Sequence, residues 1–117
     1  MADSRVTIYH NPRCSKSRKT LALLLENGVE PTVVEYLKNV PDKTMLKSII
    51  QKLGVRPGQI VRTGEDTFKQ HYAGQTLNDE QWLEALAKYP ILIERPIVVK
   101  GDRAVLGRPP ENVLDLI

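Results

Sequence analysis

The stretch Val6-Thr7-Ile8-Tyr9-His10-Asn11-Pro12-Arg13-Cys14-Ser15-Lys16-Ser17-Arg18-Lys19-Thr20 decides how this chain is read. Val6 to Tyr9 is β-branched and aromatic, and it predicts a strand. Asn11-Pro12 breaks it. From Cys14 or Ser15 onward, Leu21, Ala22, Leu24 and Leu25 recur at helical spacing, and Asn27-Gly28 supplies a C-terminal stop. The only cysteine of the chain therefore stands where a loop becomes a helix. A thiol there meets unpaired helix N–H groups and the positive end of the helix dipole, which favour thiolate over thiol. Arg13, Lys16, Arg18 and Lys19 crowd the same turn. The pattern is that of a reactive sulfur beside an anion site.

Outward from this stretch, Thr32 to Tyr36 reads as a second strand, parallel to the first because a helix connects them. Asp42 is a plausible cap for a helix whose apolar face is Met45, Leu46, Ile49, Ile50 and Leu53, ended by Gly54. Residues 56–90 offer no convincing strand. They read as a helical insertion with short helices over Pro57 to Arg62, Glu65 to Tyr72 and Asn78 to Tyr89, the last burying Trp82, Leu83 and Leu86. Ile97 to Lys100 and Ala104 to Gly107 flank Gly101-Asp102-Arg103 as a hairpin, and Pro109-Pro110-Glu111 starts a final helix over Asn112 to Ile117. The order predicts one α/β domain over residues 1–117, a thioredoxin-like mixed sheet with its helical insertion between the second and third strands. In that fold a proline entering a strand beside the cysteine, here Pro96 after Arg95, is expected to be cis.

Composition narrows the function. With 117 residues, 41% hydrophobic and 26% charged, the chain has the make-up of an ordinary globular domain. A net charge of +3 without a Lys/Arg-rich arm gives no reason to expect nucleic acid. No apolar run is long enough to cross a membrane, and the N-terminus lacks the core of a signal peptide. One cysteine without a partner fits a reducing cytoplasm. Two histidines and one cysteine at long spacing give no metal site.

In Cys14-Ser15-Lys16-Ser17 a serine holds the place of a second redox cysteine. Cys14 must act as a single thiol, resolved by an outside thiol. The Ser17 hydroxyl is a candidate donor to its sulfur. His10 either stabilises the thiolate, organises the loop, or is a loop histidine bonded to the backbone. Asn11 is a site donor or a turn residue. Arg95 and Arg108 fall where this fold brings the third and fourth strands near the cysteine, and guanidinium groups bind tetrahedral oxyanions through paired hydrogen bonds. Arg62, after Ile60-Val61, has little independent support. His71 is expected to be exposed and Trp82 to be core.

The strings from Ile8 to Cys14 with Ser17-Arg18, from Ile91 to Val99, and from Gly107 to Leu114 resemble the glutaredoxin-dependent arsenate reductase family, in its short-chain branch. That resemblance spans nearly the whole chain. It implies a thioredoxin-like fold, reduction of arsenate to arsenite, and a part in arsenic detoxification. It implies Cys14 as nucleophile, His10 near the thiol, and Arg62, Arg95 and Arg108 as oxyanion ligands. Asn11, Ser17, Arg18 and Pro96 are supporting. Glutathione is the implied co-substrate and glutaredoxin the implied partner, with no bound cofactor and no metal. We expect a monomer. The rival readings are a non-enzymatic regulator of this fold that binds a protein partner, and a monothiol oxidoreductase acting on glutathione mixed disulfides.

Overall fold

In the computed structural model, which describes residues 5–117, side-chain alternation along β1 (Val6–His10) places Val6, Ile8 and His10 on one buried face. Helix α1 (Ser15–Glu26) buries Ser17, Thr20 and Leu24, a stripe at three- and four-residue spacing. Val6, Ile8 and Leu24 form a core with Val98, Val113 and Leu116. Fully burying a side chain such as Ile8 or Leu24 contributes about 1.5–3 kcal/mol.

Strand β2 (Thr32–Glu35) pairs parallel to β1, with His10 opposite Glu35. Strand β3 (Ile97–Lys100) runs antiparallel to β1, and β4 (Arg103–Leu106) antiparallel to β3, in the order β2-β1-β3-β4. This is the thioredoxin-like mixed sheet that the sequence predicts. Its hairpin turn is tighter than expected. Lys100 pairs with Arg103 across two residues, and Gly101 takes φ 60° at the first of them, the position that needs glycine in a type II′ turn.

The chain divides into two compact units. The described residues up to Asn39 form one with Arg95–Ile117, and Val40–Glu94 form the other. The second unit thus starts ahead of the expected insertion and includes α2 (Lys43–Leu53). Asp42 caps α2 by accepting from the N–H of Met45 at 2.8 Å, and Gly54 ends it at φ 72°. Its buried stripe is narrower than expected. Leu46, Ile49 and Ile50 are buried, Leu53 is half-buried, and Met45 is exposed. Helix α4 (Asp79–Lys88) begins with a capping box between Asn78 and Gln81.

Trp82 is not core. Leu83, Ala85 and Leu86 take the inward face of α4. Position 82 therefore lies on its flank, where Trp82 stacks on Phe68 of α3 (Asp66–His71) at 6.2 Å between ring centres. His71 is exposed, as expected, and stacks on Tyr89 at 5.0 Å. Where no strand was expected, Val61 and Ile93 form an isolated antiparallel bridge. Around it, the N–H of Arg62 donates to Leu92 (2.7 Å) and that of Glu94 to Ile60 (2.9 Å).

The C-terminal segment is a helix, as expected, but of 3-10 pitch and over Pro110–Asp115 in place of Asn112 to Ile117. The reason is its apolar period. Pro110, Val113 and Leu116 are buried at intervals of three, the repeat of a 3-10 turn. Arg95-Pro96 is cis, as expected, and so is Arg108-Pro109, which the sequence reading left out.

Candidate active site

The alternation that buries Ile8 also buries His10, on the face that α1 covers. There Nδ1 of His10 meets Oγ of Ser17 at 2.6 Å. The same Oγ accepts from the N–H of Asn11 at 3.0 Å. Asn11, itself buried, folds the loop. Its Oδ1 accepts from the N–H of Arg13 and its carbonyl from the N–H of Cys14, both at 3.0 Å. Arg18 fastens the loop from outside, its Nη1 donating to the carbonyl of Pro12 at 2.9 Å. Burial pushes the His10 imidazole below its ordinary pKa, Glu35 opposes that, and the Arg18 charge assists it. Burial thus favours the neutral imidazole, and its contact with the Ser17 hydroxyl ties the strand end to the first turn of α1.

Cys14 is the N-cap of α1 and is half-buried. Its carbonyl accepts the first bond of the helix, from the N–H of Arg18 at 3.0 Å. No N–H is aligned on the sulfur as a conventional cap bond. Even so, the first-turn amides lie close enough to favour its charge. Burial alone would raise the thiol pKa, but the N–H of Ser17, the guanidinium of Arg95 and the N–H of Lys16 outweigh it, and the thiol titrates below its ordinary value. The contribution of Ser17 to the sulfur is thus its backbone N–H. Its hydroxyl is held by His10 and Asn11.

Arg95 enters the site through the cis bond to Pro96, at the head of β3. Arg108 follows β4, and its Nη1 donates to the carbonyl of Arg95 at 3.2 Å. Cys14, Arg95 and Arg108 are thereby linked within one unit. Gly107 was not singled out from the sequence, yet it packs tightly against Thr20 of α1 and Pro96. A Cβ there would lie 2.6 Å from Oγ1 of Thr20 and 2.8 Å from Cγ of Pro96. Its N–H donates to the carbonyl of Pro96 at 2.8 Å. The signal was present as a glycine between the last strand and Arg108-Pro109.

Arg62 belongs to the second unit. Its Nε donates to Glu65 at 3.2 Å and its Nη1 faces Glu94 at 3.7 Å. Among the described residues, no group of three or more His, Cys, Asp or Glu is placed to hold a metal ion, and no helix is long and apolar enough to cross a membrane.

Known proteins resemble this chain over its length. A model described as the ArsC family matches residues 9–116. The "Uncharacterized protein YfgD" of Escherichia coli K12 is 47% identical over 97% of both chains. A protein named arsenate reductase from Haemophilus influenzae is 43% identical over 96% of this chain and 98% of its own. Among solved structures, an arsenate reductase from Vibrio cholerae superposes with a TM-score of 0.93 at 44% identity, covering 98% of this chain and 99% of that one.

Proposed function

Because the chain belongs to the ArsC family, we propose that it is an arsenate reductase, an oxidoreductase whose nucleophile is Cys14. One observation carries this reading: the sole cysteine sits at a helix N-terminus, where first-turn amides and the Arg95 guanidinium favour its thiolate. The names of the Haemophilus and Vibrio relatives support arsenate as the substrate.

In the reaction we infer, the Cys14 thiolate attacks arsenic and a water or hydroxide leaves. Arg95, Arg108 and Arg62 hold the oxyanion and neutralise charge that builds in the transition state. The lowered pKa of the thiol favours the thiolate, the attacking form. His10, Asn11, Ser17 and Arg18 hold the loop that presents it. With no second cysteine, the resolving thiol comes from outside. Glutathione attacks the thiol-bound arsenic, two electrons pass to arsenic as the Cys14 and glutathione sulfurs join, and arsenite leaves. Glutaredoxin then removes glutathione from Cys14. The scheme needs no metal or bound cofactor, and it suits a monomer in a reducing cytoplasm.

The test is arsenate-dependent NADPH consumption with glutathione, glutathione reductase and glutaredoxin. Wild type turns over and Cys14→Ser does not. No turnover by a folded wild type with an alkylatable thiol overturns the reading, in favour of mixed-disulfide reduction or partner binding.

A further inference from the structure

Arg62 meets two carboxylates, and the two contacts differ in kind. All three residues lie in the second unit. Nε of Arg62 donates to Oε1 of Glu65 at 3.2 Å, a hydrogen bond. Glu65 is anchored beside it, since its own N–H donates to the carbonyl of Arg62 at 3.4 Å. Nη1 faces Oε1 of Glu94 at 3.7 Å, an ion pair beyond hydrogen-bond reach. Glu94 stands across the Val61–Ile93 bridge, held by its N–H to Ile60 at 2.9 Å.

The three side chains are 23%, 27% and 22% exposed, so solvent screens them less than it screens a surface pair. A guanidinium grips a tetrahedral oxyanion through two of its N–H edges at once. With Nε occupied by Glu65, the edge left for such a ligand is Nη1 with Nη2. That is the edge Glu94 faces through a long contact.

We propose that the two carboxylates divide the arginine between them. Glu65 is a positioning residue that fixes the orientation of Arg62. Glu94 is a displaceable internal competitor that an oxyanion must replace at Nη1. The proposal rests on the reading of Arg62 as an oxyanion ligand. It predicts opposite signs for two chemically identical changes. Removing the competitor's charge in Glu94→Gln tightens arsenate, whereas removing the anchor's charge in Glu65→Gln loosens it. Each shift is about three- to tenfold in KM and in the dissociation constant measured by titration calorimetry with arsenate. In both variants kcat moves less than KM.

Damage to the fold alone would weaken binding in both variants, so the split in sign separates positioning from structure. An Arg62→Ala background supplies the second control, because there Glu94→Gln loses its effect. If Glu65→Gln fails to fold, the Glu94→Gln and Arg62→Ala arms still decide. Shifts in the same direction, or none, overturn the inference while arsenate turnover by wild type leaves the functional reading intact. Wild type that neither binds nor reduces arsenate overturns both.

Discussion

Nη1 of Arg108 donates to the carbonyl of Arg95 at 3.2 Å. Arg108, two residues past the last strand, thus braces the backbone of the residue whose guanidinium favours the Cys14 thiolate. We expect Arg108→Ala to raise KM for arsenate about 10- to 100-fold, the scale of a charge-assisted hydrogen bond. Arg108→Lys, which keeps the charge without the planar fork, recovers only part of the loss. Equal kinetics for Arg108→Ala and wild type would break the link.

Arg95 should set the acidity of Cys14. In wild type, burial raises the thiol pKa, and the Ser17 N–H, the Arg95 guanidinium and the Lys16 N–H together bring it below 9.0. Arg95→Gln leaves burial and the amides in place, so the midpoint moves up and less thiolate is present at pH 7. The pH profile of alkylation by iodoacetamide reads this directly. An unmoved midpoint would assign the acidity to the helix terminus alone.

Ser17→Ala separates loop from sulfur. It removes the hydroxyl that holds His10 and the Asn11 N–H in a buried place, but keeps the Ser17 backbone amide. The expected cost is about 1–3 kcal/mol of stability, read by denaturant titration, as buried polar groups lose their partner. The Cys14 midpoint should shift less than in Arg95→Gln.

His10 makes the fold sensitive to acid. Its pKa in the folded chain is below the ordinary 6.5, chiefly from burial. The unfolded chain therefore binds the proton more readily. The stability this contributes is complete above pH 6.5 and is lost as pH falls through the lower, folded value. Between pH 7 and pH 5 the melting temperature should fall, and His10→Gln should flatten that slope. Parallel slopes for the two proteins would exclude His10 as the sensor.

Gly107→Ala pushes a methyl to within 2.6 Å of Oγ1 and 3.0 Å of Cγ2 of Thr20. Overpacking of this kind costs about 1–3 kcal/mol. Thr20→Ala deletes both of those atoms but not the Pro96 contact at 2.8 Å. The double variant should thus be less destabilised than the two single losses added together, by double-mutant cycle.

Local signals in the sequence were strong where one residue settles one feature. Asp42 and Asn78 announced their helices as caps, Gly54 ended one, and the cysteine after Asn11-Pro12 marked the strand-to-helix junction. Features settled by packing were harder to read. Trp82 has the hydrophobicity of a core residue, and only the arrival of α3 on the flank of α4 turns it to Phe68. The three-residue period of Pro110, Val113 and Leu116 was visible, but a helix of ordinary pitch was the simpler expectation. At the site, the choice between the Ser17 hydroxyl and its amide depended on where His10 pointed. Glu65 lies three residues from Arg62 and was within reach of a spacing argument. Glu94 is brought there only by the Val61–Ile93 bridge.

The sheet order also bears on synthesis. Strand β1 emerges first from the ribosome, yet β3 pairs with it only after nearly the whole chain has been made. Until Arg95 is translated, Cys14 lacks the guanidinium that favours its thiolate in the finished fold. A nascent or truncated chain thus carries a thiol less acidic than that of the finished protein, and less prone to react with passing oxidants. Full nucleophilicity comes with completion of the fold, so a partial chain is chemically quieter than a whole one.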